Sequence, residues 1–523
     1  MKKIAFLSGL ISGLLTSGIV LPAYSQVTSD GSTNTTVNSN GNNYQIINGI
    51  AKDSNLFHSF GKFSIPNGGS ATFDLSNTNN IKTIFSRITG GDVSNINGLI
   101  QTLNSSNAVN LFLINPAGII FGENASLDIG GSFYGTTAQS ILFKNGFEFS
   151  AVNPENAPLL TVSVPIGLQM GTSSGAITVN GKGHNLITTD ANFAPYTNRS
   201  VNSLQVKPGK TLALVGGDIA LDGAVLNAKT GRVELSSVRE GKISLDRSNQ
   251  DLQLNISENS KLGSVELLQK SLVDVSGAGA GSIQVNGGSV SLKDGSVLFV
   301  QNQGLRSAGD INVNATESLK IDGISPDGKF RSGLINETLV GNSGNLNIVT
   351  PRLIIQNGGG IGSRTFSPAP GGNISLDVSE LIEVNGFSEI NPAVSSIIAS
   401  ISFGDGKAGD IIASTKKFSI LDSATVSAAT FGKGDGGTIN INAQTLEIKG
   451  IGFGFFVDTN ISTSAYAKGD AGNININTEN MNMEGGAFVT TVSHNAGNAG
   501  SLNINATESL QIVGKDADGR PTT

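Results

Sequence analysis

The thiols and imidazoles on which much covalent and metal chemistry depends are scarce in this 523-residue chain, with no cysteine and three histidines that stand far apart. Cysteine is absent, which excludes thiolate metal sites, iron–sulfur clusters and disulfides. The three histidines, His58, His184 and His494, fall in no H-E-x-x-H or H-x-H pattern and are read as solvated loop residues. Gly209-Lys210-Thr211 ends like a phosphate loop, but Leu204 stands where that loop needs its first glycine. Gly450-x-Gly452-x-Gly454 has no helix behind it to receive a dinucleotide. Asp516-x-Asp518-Gly519 is half of a calcium loop without the distal glutamate, and a turn is the better reading. The expectation is therefore no catalytic residue, no metal and no cofactor.

What the chain has instead is repetition. A Gly, a small or polar residue and then alternating apolar residues recur from Gly281, Gly309, Gly344, Gly372, Gly409, Gly437, Gly472 and Gly500. The successive spacings are 28, 35, 28, 37, 28, 35 and 28 residues. A period of this size marks a stack of equivalent units, none of which buries its apolar face alone. The unit starting at Gly281 holds three strand-like pieces, Ser282–Val285, Ser289–Leu292 and Ser296–Val300. Three strands per turn predict an all-β, right-handed parallel β-helix. A propeller blade needs a longer unit, and a leucine-rich repeat needs a Leu/Asn consensus that is missing.

The longer units carry their extra residues at one equivalent place, after the second strand: Ile324–Arg331, Phe387–Val394 and Ile451–Asp458. Equivalent insertions project from one face of a solenoid. Successive inserts should lie two rungs apart, about 10 Å at the strand spacing. Phe330, Phe387, Phe453, Phe455 and Phe456 on these inserts are candidate ligand-presenting residues. The last unit breaks off at Thr523 inside an insert, which suggests a fragment or a truncated product.

Composition agrees with many short strands and tight turns. Gly contributes 68 residues without a G-X-Y triplet, which rules out collagen. Charged residues are only 14%, which argues against disorder. A net charge of −7 with no Lys/Arg cluster argues against a nucleic-acid partner. Export is signalled by Lys2 and Lys3, an uncharged apolar run from Ile4 to Val20, and small residues at Ala23 and Ser25, so residues 1–25 read as a cleaved signal peptide. No later stretch is long enough to span a membrane as a helix.

Residues 26–150 do not follow the repeat. The apolar strand Asn110-Leu111-Phe112-Leu113-Ile114 runs into Asn115-Pro116-Ala117-Gly118 and out through Ile119-Ile120-Phe121. Pro116 pre-sets the first central position of a β-turn and Gly118 accommodates a positive φ. With the upstream Asn95-Ile96-Asn97-Gly98 and the following Glu123–Phe133, this string resembles the secretion domain of the filamentous hemagglutinin family, the exported partners of two-partner secretion systems in Gram-negative bacteria. The family's Asn-Pro-Asn-Gly-Ile signature stands here as Asn115-Pro116-Ala117-Gly118-Ile119, with Ala117 in place of Asn. The resemblance covers residues 27–150 most clearly and extends to about 245.

The resemblance implies a secretion-domain core at 26–150, further β-helix rungs at 151–245 and a repeat shaft at 246–523. It implies recognition in the periplasm by the POTRA domains of a dedicated outer-membrane β-barrel, with Asn95, Asn97, Asn115, Pro116 and Gly118 supporting recognition or the turn it needs. It further implies an adhesin-like protein, secreted or held at the surface, facing a host-surface, cell-surface or polysaccharide ligand. Two alternatives come from other classes. One is a β-helix polysaccharide-active enzyme, against which the acidic residues are scattered among turns. The other is the stalk of a contact-dependent inhibition toxin, whose tip domain is missing before Thr523.

Overall fold

A computed structural model describes residues 26–154, 164–190, 193–248, 251–450, 458–515 and 519–523. The signal peptide expected at 1–25 lies outside these residues. Regular structure among the described residues is strand only. The expected all-β parallel β-helix is what the chain forms.

Alternation sets the strands and a change of phase sets the corner. In Ile439–Lys449, Ile439, Ile441, Leu446 and Ile448 face inward and are buried. Between the two halves the alternation slips, and one long strand thereby serves two faces of the helix. Ser282–Lys293 shows this directly. Its first half pairs in parallel with Arg232–Ser236 and its second half with Ser264–Leu267. The third strand of that turn, Val297–Asn302, joins a separate ten-stranded sheet running from Leu204–Gln205 to Phe488–Ser493. Inside, Ile283, Ile311, Leu346, Ile374, Ile411, Ile439 and Ile474 stack one per rung, each at most 1% exposed. Burial of each such side chain stabilises by roughly 1.5–3 kcal/mol.

The Gly that opens each repeat is required by backbone proximity. A Cβ on Gly372 would lie 1.7 Å from the carbonyl oxygen of Gly344, and one on Gly409 would lie 1.9 Å from that of Gly372. The same clash recurs at Gly437, Gly472 and Gly500. The polar residue that follows forms a staircase. Asp310 Oδ1 accepts the Asn345 N–H (2.7 Å), Asn345 Oδ1 accepts that of Asn373 (3.0 Å), and Asn373 Oδ1 accepts that of Asp410 (2.9 Å). Each side chain thus satisfies a corner amide that strand pairing leaves open.

Like residues also stack outside. Phe366, Phe403, Phe431, Tyr466 and His494 form a column of near-parallel rings with centroids 4.9, 5.4, 4.5 and 4.6 Å apart.

At the N-terminal end, Val27–Ser29, Thr35–Asn40 and Ile50–Lys52 pair antiparallel with neighbouring strands and cover the first rung, Asn55–Phe63. Between Ser140 and Ile256 the chain also leaves the helix to build an antiparallel layer. It contains Ser140–Phe143, Glu148–Ser150, Pro165–Met170, the distal half of Arg232–Ser248 and Asp251–Ile256. Residues 165–170 and 241–245, expected to continue the rungs, belong to this layer. It packs over an outward-facing stack of Phe57, Phe85, Phe112 and Tyr134, whose successive centroids are 5.3, 5.0 and 4.3 Å apart.

The glycine contacts give a paired expectation. Gly372→Ala should destabilise the protein by about 1–3 kcal/mol, because backbone has to move. Gly362→Ala should stay within about 1 kcal/mol of the parent, because a Cβ there meets nothing within 4 Å. Denaturant midpoints of the two variants measure the contrast.

Candidate functional site

The Asn-Pro-Ala-Gly segment is a corner between two faces of the helix. Asn110–Ile114 lies on one rung between Thr83–Ile88 and Phe133–Thr136, and Ile119–Phe121 pairs with Ser94–Ile96 and Ile177–Val179. The Gly118 N–H donates to the Asn115 carbonyl (3.1 Å) and closes the turn, with Gly118 at φ +128°. The Asn115 side chain is 1% exposed and fully used. Its Nδ2 donates to the Asp92 carbonyl and to Ser94 Oγ, both at 2.9 Å, and its Oδ1 accepts the Ala117 N–H at 3.0 Å. On the other side, the Pro116 carbonyl accepts the Gly175 N–H at 2.9 Å. Asn115, Pro116 and Gly118 therefore clasp three consecutive rungs.

The other two expected residues lie one rung away, Asn95 within the strand Ser94–Ile96 and Asn97 just past its end. Asn97 is half-buried, and its Oδ1 accepts the Asn124 N–H at 3.0 Å. Asn95 is exposed, and its backbone N–H donates to Ser64 Oγ at 3.0 Å. The structure thus brings all five onto two adjacent rungs. Asn110 does the same work and was missed: its Oδ1 accepts the Ser132 N–H at 2.8 Å. Its position at the start of an apolar strand gave the only signal.

A second feature invisible in the sequence is the buried Arg87, 1% exposed. Its guanidinium donates to Ser59 Oγ (2.8 Å), the Ser150 carbonyl (2.6 Å), Ser32 Oγ (3.0 Å) and the Pro154 carbonyl (2.8 Å). Its Cζ also lies 4.5 Å over the Phe149 ring. Arg87 thereby ties the N-terminal cap, a helix rung and the antiparallel layer together. Nearby Asp30 accepts from Ser59, Ser32 and Thr89. Burial would raise its carboxyl, and these hydrogen bonds outweigh burial and hold it below its usual range.

This N-terminal half corresponds to a known family. The model of the TPS secretion domain matches residues 25–285. The chain belongs to the family of exoproteins that carry a TPS secretion domain. Among solved structures, it is similar to the HMW1 secretion domain from Haemophilus influenzae, at 15% identity over 93% of this chain and 98% of that one, with a TM-score of 0.33. It is also similar to the filamentous hemagglutinin secretion domain, at 14% identity over 67% of this chain and 99% of that one, with a TM-score of 0.40. No curated protein matches it. The protein is a two-partner-secretion exoprotein, secreted through the outer membrane to the cell surface or extracellular space. Among the described residues no helix is long and apolar enough to cross a membrane.

The TPS domain sends a strap, of which residues 181–190 and 193–203 are described, along the outside of the ten-stranded sheet. His184 Nε2 reaches the Gly295 carbonyl (2.9 Å). The Tyr196 N–H donates to Glu337 Oε2 (3.1 Å), and Gln301 Nε2 donates to the Tyr196 carbonyl (2.6 Å). Arg364 donates to the Ala194 carbonyl and forms an ion pair with Glu337. Burial pushes the Glu337 carboxyl up despite Arg364 beside it. Phe193 sets its edge on the ring column, 6.0 Å from Phe403 and 5.3 Å from Phe431.

The first insert lies beside this strap. Phe330 is 7% exposed and packs against His184 and Tyr196, so its ring faces the protein. Phe387 is half-buried, at a bridge to Ser395 that closes its insert. Phe453, Phe455 and Phe456 lie outside the described residues. The first two inserts touch, with Asn391 Nδ2 donating to the Gly328 carbonyl at 3.3 Å.

Two histidines correct the solvated-loop reading. His58 and His184 are each 1% exposed, and only His494 is exposed. His58 Nδ1 meets Thr35 Oγ1 at 3.0 Å, and its ring packs on Phe60 and Phe73. His184 Nδ1 accepts the Leu186 N–H while Nε2 donates to Gly295, so the neutral ring is satisfied. Burial lowers His58 to about 3 and His184 to about 4.

Two expectations follow from these sites. Asn115→Ala should cost about 1–3 kcal/mol in denaturant melts, since it leaves buried partners unpaired. Asn115→Asp should be worse near neutral pH, where a carboxylate would face the Asp92 carbonyl. His58 and His184 stay neutral in the fold but take up protons below about 6.5 when unfolded. Stability is therefore present above pH 6.5 and declines as pH falls toward 4, by up to about 1.4 kcal/mol per pH unit for each ring. Urea midpoints between pH 7.5 and 5 should show this slope, and a His58→Gln/His184→Gln protein should flatten it.

Proposed function

We propose that this exoprotein crosses the outer membrane through a dedicated β-barrel whose periplasmic POTRA domains recognise residues 26–150, and that outside the cell it acts as a non-enzymatic, adhesin-like protein. The family match to the TPS secretion domain carries this reading. Register supports the link between export and shaft: Arg232–Ser236 pairs directly with Ser282–Asn286, so the secretion domain supplies the template for the first repeat rung. Rung-by-rung folding outside the membrane would then favour outward movement without ATP.

Within this proposal the expected residues divide by exposure. Asn115 and Gly118 are engaged in the fold, so in the folded domain they act through the corner they build. Asn95 presents its side chain to solvent and is the candidate for direct transporter contact. In the unfolded chain, all of them are open to β-augmentation by a POTRA sheet edge. On the shaft, the insert tips carry Lys329, Glu389 and Ile390, the last 60% exposed, and form the candidate ligand-facing surface.

The test is export from cells that carry the cognate transporter, scored beside refolding of purified protein. Asn95→Ala should keep parental stability and lower the secreted fraction several-fold. Asn115→Ala should lower both. Parental export of Asn95→Ala would remove it from recognition, and parental export of both would remove this corner from the export mechanism.

A further inference from the structure

Between the strap and the ten-stranded sheet lies an open groove of about 220 Å³. Its floor is the outward face of successive rungs, where Ile335, Gly362 and Ala399 are in register. The middle position has no side chain. A Cβ on Gly362 would meet no atom within 4 Å, and no positive φ requires glycine there. The hollow therefore exists because this one outward position is empty while its neighbours above and below are filled. Ile397, Ile401 and the rings of Phe403 and Phe431 continue the apolar lining, and Phe193 of the strap, 53% exposed, forms part of the rim.

Two guanidinium groups line this groove, and among the described residues only one of them has a carboxylate at ion-pair distance. Arg364 is neutralised by Glu337. Arg331 also lines the groove and is partly buried, and its Nη1 donates to the Ser395 carbonyl at 3.2 Å. Tyr196 and Arg364 stand near it, and burial raises the Tyr196 phenol, which therefore stays protonated at neutral pH and supplies no counter-charge. Among the described residues, no carboxylate lies within ion-pair distance of Arg331. A guanidinium at an apolar wall without a counter-charge is costly, and its planar donor fork matches a carboxylate.

We infer that this groove binds a small amphipathic anion, with the carboxylate on Arg331 and the apolar body over Gly362 between Ile335, Ala399 and Phe403. Both halves of the ligand are specified: the cation asks for an anionic head, and the missing side chain leaves room for a hydrocarbon chain or ring. This site is independent of the transporter and adhesion readings.

Calorimetry of the mature chain with octanoate, and with 1-octanol as the neutral body of equal length, tests the assignment. Octanoate should bind about tenfold or more tighter than 1-octanol, the scale of one charged hydrogen-bonded contact. Arg331→Gln should abolish most of that advantage while leaving 1-octanol unchanged. Gly362→Val should abolish binding of both by filling the hollow, with a parental melting temperature. Equal binding of the two probes, an undiminished octanoate advantage in Arg331→Gln, or undiminished binding in Gly362→Val would each overturn the site.

Discussion

Strands stacked in register about 4.8 Å apart place every residue directly over its counterpart one rung below. Nearly everything else in this protein answers to that constraint. Apolar residues tolerate it by forming one continuous core column. The corner glycines exist because their backbones approach the rung below more closely than a Cβ allows. Aromatic rings turn it to advantage by lying face to face, and asparagines by passing hydrogen bonds along a ladder, as from Asn347 Nδ2 to Asn312 Oδ1 and from Asn475 Nδ2 to Asn440 Oδ1. Like charges would be placed nearest each other, which is consistent with a chain whose charged residues are only 14%.

The secretion domain meets the same constraint differently. Its rungs carry large aromatic residues on the outside as well as the inside, and the outer set would be exposed on a bare helix. The antiparallel layer covers them, and Arg87 fixes one end of that layer through two backbone carbonyls. The corner at Asn115 then holds three rungs at the place where the strand changes face. The family signature is thus, in the folded molecule, a set of polar groups that finish hydrogen bonds the strands themselves leave open.

Legibility in the sequence followed locality. The repeat period, the three strands per turn and the place of the first two inserts depend on spacing along the chain, and they are what the described residues contain. The turn at Asn115 was visible for the same reason. The antiparallel layer was not, since Pro165–Met170 and Asp251–Ile256 look like any other short apolar strand and only their partners distinguish them. Arg87, Glu337 and the two buried histidines were also hidden. Each is a polar residue buried by a segment remote in sequence, and no local pattern encodes that covering. Phe330 misled for the same reason: a loop aromatic is exposed or packed according to whether a strap passes over it.

The strap also bears on time. Its contacts to Glu337 and Arg364 span 141 and 170 residues, and these partners lie beyond residue 285, where the family match ends. A chain is synthesised from its N-terminus, so the strap exists before the rungs that receive it. The rungs of the secretion domain are thus complete in sequence before the partners of its strap exist. Homology marks a domain by what is shared, whereas the folded unit extends to whatever the chain must still produce before its last segment can settle.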